Sequence, residues 1–319
     1  MMRYNVLVTG TSSYGVGEGL LKSINESEYR NQLNLIGASN SKLTAYKNLV
    51  DSYYILPNAN HPDYSKEVNK IIKDEQIHIL IPGSEAETLF YSQNKSKIES
   101  ELYIDIWVNE NEIINIFDNK LEAEKFFINF GIKTPKSYSE CKEEFPLIIK
   151  PVIGKSSEGI FIAKDKEEYY AAKNFYQVIG EQIIVQEFIE KEKEYSVSLI
   201  NLGNRLEILS MERILNKGAT QYAKIVYKPA IEDMARVLHS ALGDELILNL
   251  QILKKNKEYY IFEINPRFSG SAPMRAKLGF NEFDIIFANK YLNKAHVYQL
   301  KEDCYCIRGY EEVIYSDKF

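Results

Sequence analysis

The chain reads as a mixed α/β protein, an open parallel α/β unit followed by a larger α+β region. Two observations carry this reading. In the first third, short apolar runs alternate with helix-length segments, the pattern of βαβ units. Beyond Pro135, β-rich runs crowd together with only two helical interruptions, which suits antiparallel sheets. A length of 319 residues, at ~150 residues per domain, allows two or three domains.

The elements follow in order. Residues 4–8 form an apolar strand ended by Thr9-Gly10, and a glycine-rich turn from Gly10 to Gly19 leads into a helix around 20–24. Strands are expected at 33–37 and 77–81, the latter stopped by Pro82-Gly83, with a helix over 63–74 between them. Ile113, Ile114, Phe117, Phe126, Phe127 and Phe130 keep helical spacing over 110–130, and Gly131 and Pro135 end that stretch. Strands then fall at 147–150, 160–163, 183–187, 195–200, 206–211, 247–253 and 259–264, with helices near 165–178 and 229–242. No repeat or Pro/Ser-rich linker appears, so the parts are expected to pack closely.

Composition narrows the function. Apolar residues make up 45% and charged residues 26%, the profile of a globular protein with a full core. A net charge of −6 excludes a generic basic nucleic-acid binder and gives no attraction to an anionic membrane. No apolar run approaches the ~20 residues of a membrane span, and the N-terminus lacks a signal-peptide stretch. Three cysteines cannot build a disulfide framework, which points to the reducing cytoplasm. Cys304-Tyr-Cys306, in an expected C-terminal strand, has no second pair for zinc.

Three segments could carry chemistry. The turn at 10–19 fails as a dinucleotide fingerprint: Leu20 stands where the third glycine belongs, and the next strand ends in Gly37-Ala-Ser-Asn40 without an acid. It remains either a tight packing turn or a loop for another small anion. Lys150-Pro-Val-Ile-Gly154-Lys155-Ser156-Ser157-Glu158-Gly159 is not a P-loop, because Ile149 occupies the first glycine position. It still places a lysine at a strand end before a glycine-flanked loop of phosphate donors, although a plain hairpin loop would look alike. In Glu263-Ile-Asn265-Pro-Arg267, alternate residues share a strand face. A carboxylate and an amide oxygen there suit magnesium, and the arginine suits a transferring phosphoryl group. Gln251, on an alternating strand upstream, offers a further oxygen. A solvated sheet face is the bland reading of the same residues.

Together, over roughly residues 4–290, these segments resemble the ATP-grasp superfamily, in the branch of carboxylate–amine ligases similar to the carbamoyl-phosphate synthase large subunit. The resemblance implies an ATP-grasp fold preceded by a Rossmann-like domain: residues 1–117 the N-terminal domain, 118–190 the central small lobe, 191–319 the C-terminal lobe. It implies that Lys120, in Asp118-Asn-Lys120, and Lys150 hold phosphate. Gly154, Lys155, Ser156, Ser157 and Gly159 would form the closing loop. Phe130-Gly-Ile-Lys133-Thr-Pro135 resembles a family segment that usually has proline at the Lys133 position. Glu187, Phe188 and Ile189 would read adenine, and Glu194 the ribose, leaving Glu190–Lys193 as a solvated turn. Gln251, Glu263 and Asn265 would hold Mg²⁺, with Mn²⁺ as a substitute, although other members carry an acid at the Gln251 position. Arg267 and Lys150 would act on the transferring phosphoryl group. Residues 212–220 occupy a segment on the acceptor side, and Ser269, Gly270, Ser271 and Arg275 would line the acceptor pocket, which the 10–19 turn helps to close.

The implied reaction joins a small-molecule carboxylate to an amine through an acyl phosphate, with ATP yielding ADP and phosphate, in a cytoplasmic enzyme for which a homodimer is the default. The rival readings are kinase or carboxylation chemistry of the carbamoyl-phosphate synthase type, an NAD-dependent oxidoreductase, and a non-catalytic nucleotide sensor.

Overall fold

The computed structural model describes residues 3–12, 15–141, 144–154, 159–203, 205–309 and 312–315. The first apolar run is β1 (Tyr4–Val8), followed by α1 (Val16–Asn25), β2 (Leu33–Ser39), β3 (Ser52–Ile55), α2 (Tyr64–Asp74), β4 (Ile79–Ile81), α3 (Glu85–Leu102) and β5 (Asp105–Ile106). The five strands form one sheet in the order β3-β2-β1-β4-β5, every pair parallel. Both faces are covered, which is why the strands read as unbroken apolar runs. Leu7, Ile36 and Leu80 pack with Tyr64, Val68 and Tyr91 of α2 and α3, while Val6, Val8, Leu35 and Ile79 pack with Leu20, Leu21 and Ile24 of α1. Ser84 caps α3 by accepting from Glu87 N at 3.3 Å, and Glu87 returns a carboxylate oxygen to the Ser84 hydroxyl at 2.7 Å.

The stretch expected as one helical region over 110–130 is two helices, α4 (Asn111–Asp118) and α5 (Lys120–Asn129). Asn119 breaks it. Its backbone is extended, and its side-chain oxygen accepts from Leu121 N at 3.0 Å and Glu122 N at 3.3 Å, capping α5. Next come β6 (Ser137–Tyr138), β7 (Leu147–Pro151), β8 (Phe161–Ala163), α6 (Lys166–Ile179) and β9 (Ile183–Glu187). They make an antiparallel four-stranded sheet, β6-β9-β7-β8, whose inner face packs Leu147, Ile149 and Val185 on Tyr169 and Tyr176 of α6.

The remainder comprises β10 (Lys193–Asn201), β11 (Leu206–Asn216), β12 (Ala219–Ile225), α7 (Pro229–Leu242), β13 (Leu246–Lys255), β14 (Glu258–Asn265), α8 (Ala272–Lys277), α9 (Glu282–Leu292) and β15 (Tyr305–Ile307). Its antiparallel sheet runs β14-β13-β10-β11-β12-β15. Strand alternation divides the labour. Tyr195, Val197, Leu248, Leu250 and Ile252 point into a core with α4, α5 and α7, so Glu194, Ser196, Asn249 and Gln251 face the other way. In β14 the pairing shifts from Gln251↔Glu263 to Ile252↔Ile261, leaving Phe262 as an extra residue. This bulge lets Ile261 and Ile264, three apart, both reach the core while Glu263 and Asn265 stay on the polar face.

Candidate active site

A cleft of about 720 Å³ lies between the four-stranded and six-stranded sheets. Lys120, Lys150, Gly154, Glu187, Phe188, Ile189, Glu194, Gln251, Glu263, Asn265, Arg267 and the 269–271 segment all line it.

On β7, Leu147 and Ile149 are spent on the core, so the alternation turns Lys150 toward the cleft. Its side chain is buried, and no described residue hydrogen-bonds or ion-pairs its ammonium. Burial pulls the Lys150 pKa down to about 8; Glu263 opposes the fall, and the neighbouring Lys120 charge adds to it. Lys120 enters from the first residue of α5 and donates to Gly154 O at 3.1 Å and Val152 O at 3.4 Å. Burial lowers its pKa as well, against the pull of Glu263. Gly154 and Gly159 flank the segment containing Lys155, Ser156 and Ser157, which lie outside the described residues.

At the end of β9, Glu187 N donates to Lys136 O at 2.9 Å and Phe188 N to Pro146 O at 3.2 Å, leaving the Ile189 N–H without a described acceptor. Glu190–Lys193 is exposed and Glu194 is buried. Glu194 is paired: Arg213 donates from Nε at 3.0 Å and Nη2 at 2.6 Å to one carboxylate oxygen, and Lys191 donates to the other. Arg213 Nη2 also donates to Gln251 Oε1 at 2.8 Å. The Gln251 oxygen therefore faces a guanidinium, although Gln251 lies directly across the strand pair from Glu263, and Asn265 Nδ2 donates to Glu263 at 3.3 Å. Arg267 continues that face, donating to Asn265 Oδ1 at 2.9 Å and to Glu85 at 2.6 Å. Among the described residues, no group of three or more His, Cys, Asp or Glu is placed to hold a metal.

At the far end, Ser269, Gly270 and Ser271 line the cleft beside Gly15 and Val16 of the glycine-rich turn. Ser271 Oγ donates to Thr220 Oγ1 at 3.0 Å. Arg275 departs from its expected place. It is fully buried outside the cleft lining, donating to Glu282 at 2.5 Å, Asn249 at 2.7 Å and Ser196 at 2.9 Å. It fails as a pocket residue because α8 turns it inward, under the sheet, where Glu282 balances its charge.

Sequence reasoning missed Glu85 and Arg308 and placed Arg213 only within the acceptor-side segment 212–220, not beside Glu194. Glu85 and Arg267 lie 182 positions apart, and no local spacing joins them. Arg213 did carry a signal, since it sits directly across the strand pair from Glu194.

A family model described as an ATP-grasp domain matches residues 117–271. The chain carries an ATP-grasp domain. The carbamoyl phosphate synthase large chain of Thermoplasma volcanium is 26% identical over 308 residues, which cover 85% of this chain and 29% of that protein. A D-alanine–D-alanine ligase of Fusobacterium nucleatum is 34% identical over 154 residues, 42% of this chain and 51% of that one. The chain thus spans under a third of the length of its synthase relatives. Among solved structures, an N5-carboxyaminoimidazole ribonucleotide synthetase in complex with ADP superposes with a TM-score of 0.71 at 12% identity, covering 90% of this chain and 77% of that one. An L-amino acid ligase from Bacillus licheniformis superposes at 0.68 with 15% identity, covering 91% and 74%. These neighbours share the expected fold, in which the ATP-grasp domain follows a parallel-sheet unit.

Proposed function

We propose that the chain is an ATP-dependent carboxylate–amine ligase whose reaction runs in the cleft between the two antiparallel sheets. The observation that carries this reading is the convergence of Lys120, Lys150, Glu263, Asn265 and Arg267 on that one cleft. A buried ammonium without a partner, as at Lys150, is a costly arrangement that a phosphate oxygen would relieve. In this assignment residues 1–117 close the acceptor side, 118–190 supply the phosphate lysines, and 191–319 supply the acidic strand.

The donor set fits a hard divalent cation. Glu263 and Asn265 would hold Mg²⁺, or Mn²⁺ in its place, with phosphate oxygens completing the shell, the habit of magnesium at phosphate sites. Such an ion neutralises charge on the phosphates. Gln251 joins the shell only if its oxygen leaves Arg213, as the Asn265 oxygen must leave Arg267. The Ile189 N–H, without a described acceptor, would read the adenine edge, and Glu194 the ribose once a hydroxyl competes with Lys191.

A carboxylate oxygen forms a bond to the γ-phosphorus as the bond to the ADP oxygen breaks. The amine nitrogen then attacks the acyl carbon, phosphate leaves, and the amine loses a proton. The protein contributes position and charge: Lys120 and Lys150 on the phosphates, Arg267 on the group in transfer. The loop between Gly154 and Gly159 is assigned to water exclusion. The substrates are small molecules. No helix among the described residues is long and apolar enough to cross a membrane, and free cysteines suit the cytoplasm as the site of action, with a homodimer as the working assembly.

The test measures ADP release over a panel of carboxylates and amines, with hydroxylamine to trap the acyl phosphate. Trapping is expected in the native chain and its loss in the Glu263→Ala/Asn265→Ala double variant. ATP turnover that survives the double variant overturns the metal assignment, and bicarbonate-dependent turnover without trapping favours carboxyphosphate chemistry instead.

A further inference from the structure

The cleft extends beyond the phosphate lysines to an end walled by Gly15, Thr220, Ser269, Ser271 and Arg308. We propose that Arg308 is the counter-charge for a second anionic group on the carboxylate substrate, remote from the carboxylate that reacts. The inference rests on the ligase reading and adds the class of substrate.

Arg308 follows β15, and its backbone is held on both sides. Its N–H donates to Gln221 O at 2.8 Å, and Gln221 Nε2 donates to Arg308 O at 2.6 Å. Its side chain is steadied by one donation, from Nη2 to Gly270 O at 2.5 Å. A guanidinium has five N–H donors in a rigid fork, so most remain for a ligand.

The other arginines of the cleft make the contrast. Arg213 is paired with Glu194 and Arg267 with Glu85, whereas no described carboxylate pairs with Arg308. Beside it in the cleft lining stand the uncharged Thr220, Gly270 and Ser271. Ser271 and Thr220 are both buried and bonded to each other, giving a polar floor that does not repel an anion. The four acids of the cleft lie elsewhere: Glu187 and Glu190 at and just beyond the end of β9, Glu194 on β10, already paired, and Glu263 on β14, the opposite edge of the sheet from β15. A half-buried, pre-positioned guanidinium above two hydroxyls fits a carboxylate or a phosphate. Arg267, just past β14 at the other edge of the sheet, attends the phosphoryl group in transfer, so Arg308 is left for a different anion.

The experiment uses the full chain saturated with MgADP and compares matched probes that differ in the distal group: L-glutamate with L-glutamine, L-aspartate with L-asparagine, and 3-phosphoglycerate with glycerate. Binding is read by calorimetry. The anionic member of at least one pair is expected to bind about tenfold tighter or more, as for hydrogen bonds to a charged group. The amino-acid and phosphate arms tell a carboxylate tail from a phosphate tail. Arg308→Gln keeps a donor for Gly270 O but removes the charge, and should erase the preference while leaving MgADP affinity within about twofold; Arg308→Lys should restore part of it. If MgADP binds the native chain but no pair is discriminated, or if the preference persists in Arg308→Gln, the inference fails and the ligase reading stands. Failure of MgADP to bind the native chain overturns both.

Discussion

Lys150 concentrates the electrostatics of the cleft at one atom. Burial holds its pKa down to about 8, so the free protein loses that charge as pH rises through about 8. A phosphate oxygen favours the ammonium, so nucleotide binding should raise the pKa and take up a proton. The expected outcome is a MgADP affinity that is flat below about pH 7 and falls by up to about tenfold per pH unit above pH 8. Calorimetry in two buffers of different ionisation heat should show proton uptake near pH 8, and Lys150→Met should remove both the uptake and the slope. Affinity that does not change between pH 7 and 9 would show that Lys150 does not meet the nucleotide. At this scale the sequence was informative where function is local. Lys150 is marked by its place at the end of a strand, and Glu263, Asn265 and Arg267 by a spacing of two. Glu85 and Arg308 left no mark, because Glu85 reaches Arg267, and Arg308 the cleft, from an element that only the fold brings near.

Elements were legible in proportion to how one-sided their burial is. α2 and α7 each bury one stripe and fall where helices are expected, α7 at its expected bounds. α9 is buried on every side from Glu282 to Ala288, so it has no stripe to read. α3 buries Glu87, Thr88, Tyr91 and Ser92, largely polar positions that an apolar pattern passes over. The crossing of two turns was hidden for a different reason: it depends on glycines meeting. Gly17 N donates to Gly83 O at 3.0 Å, and a Cβ on Gly83 would lie 2.2 Å from Thr9 O and 2.5 Å from the Gly17 Cα. The turn after β1 and the turn after β4 are therefore packed backbone on backbone, beside the glycine-rich mouth of the cleft. Gly83→Ala must push them apart and is expected to cost about 1–3 kcal/mol, the range for overpacking. A urea titration would register it as a lowered midpoint, and an unchanged midpoint would mean that the turns have room to move.

Across the whole molecule, the N-terminal sheet and the six-stranded sheet share one core, in which Val6, Leu20 and Ile24 lie in the same cluster as Leu209, Met211, Phe283 and Phe287. Apolar packing of this kind resists separation but sets no precise register, because it is not directional. Register requires a directional contact, and Asn109 makes it. Buried between β5 and α4, it accepts from Ile247 N at 2.8 Å and donates to Ile247 O at 2.8 Å and Pro266 O at 2.7 Å. One amide thus ties the end of the parallel sheet to β13 and to the residue preceding Arg267, the same residue that Glu85 grips from α3. Asn109→Leu would leave buried backbone groups without partners, at about 1–3 kcal/mol each. Asn109→Asp keeps the acceptor for Ile247 N but sets a buried carboxylate against Ile247 O and Pro266 O unless it takes a proton, so its cost should grow as pH rises. Urea unfolding of both variants orders the two costs, and amide exchange at Ile247 locates them: exchange should quicken in the leucine variant while that of residues on β7 stays slow. If both amides quicken together, the protein opens as one cooperative unit and Asn109 contributes global stability rather than the local alignment that carries Arg267 to the cleft.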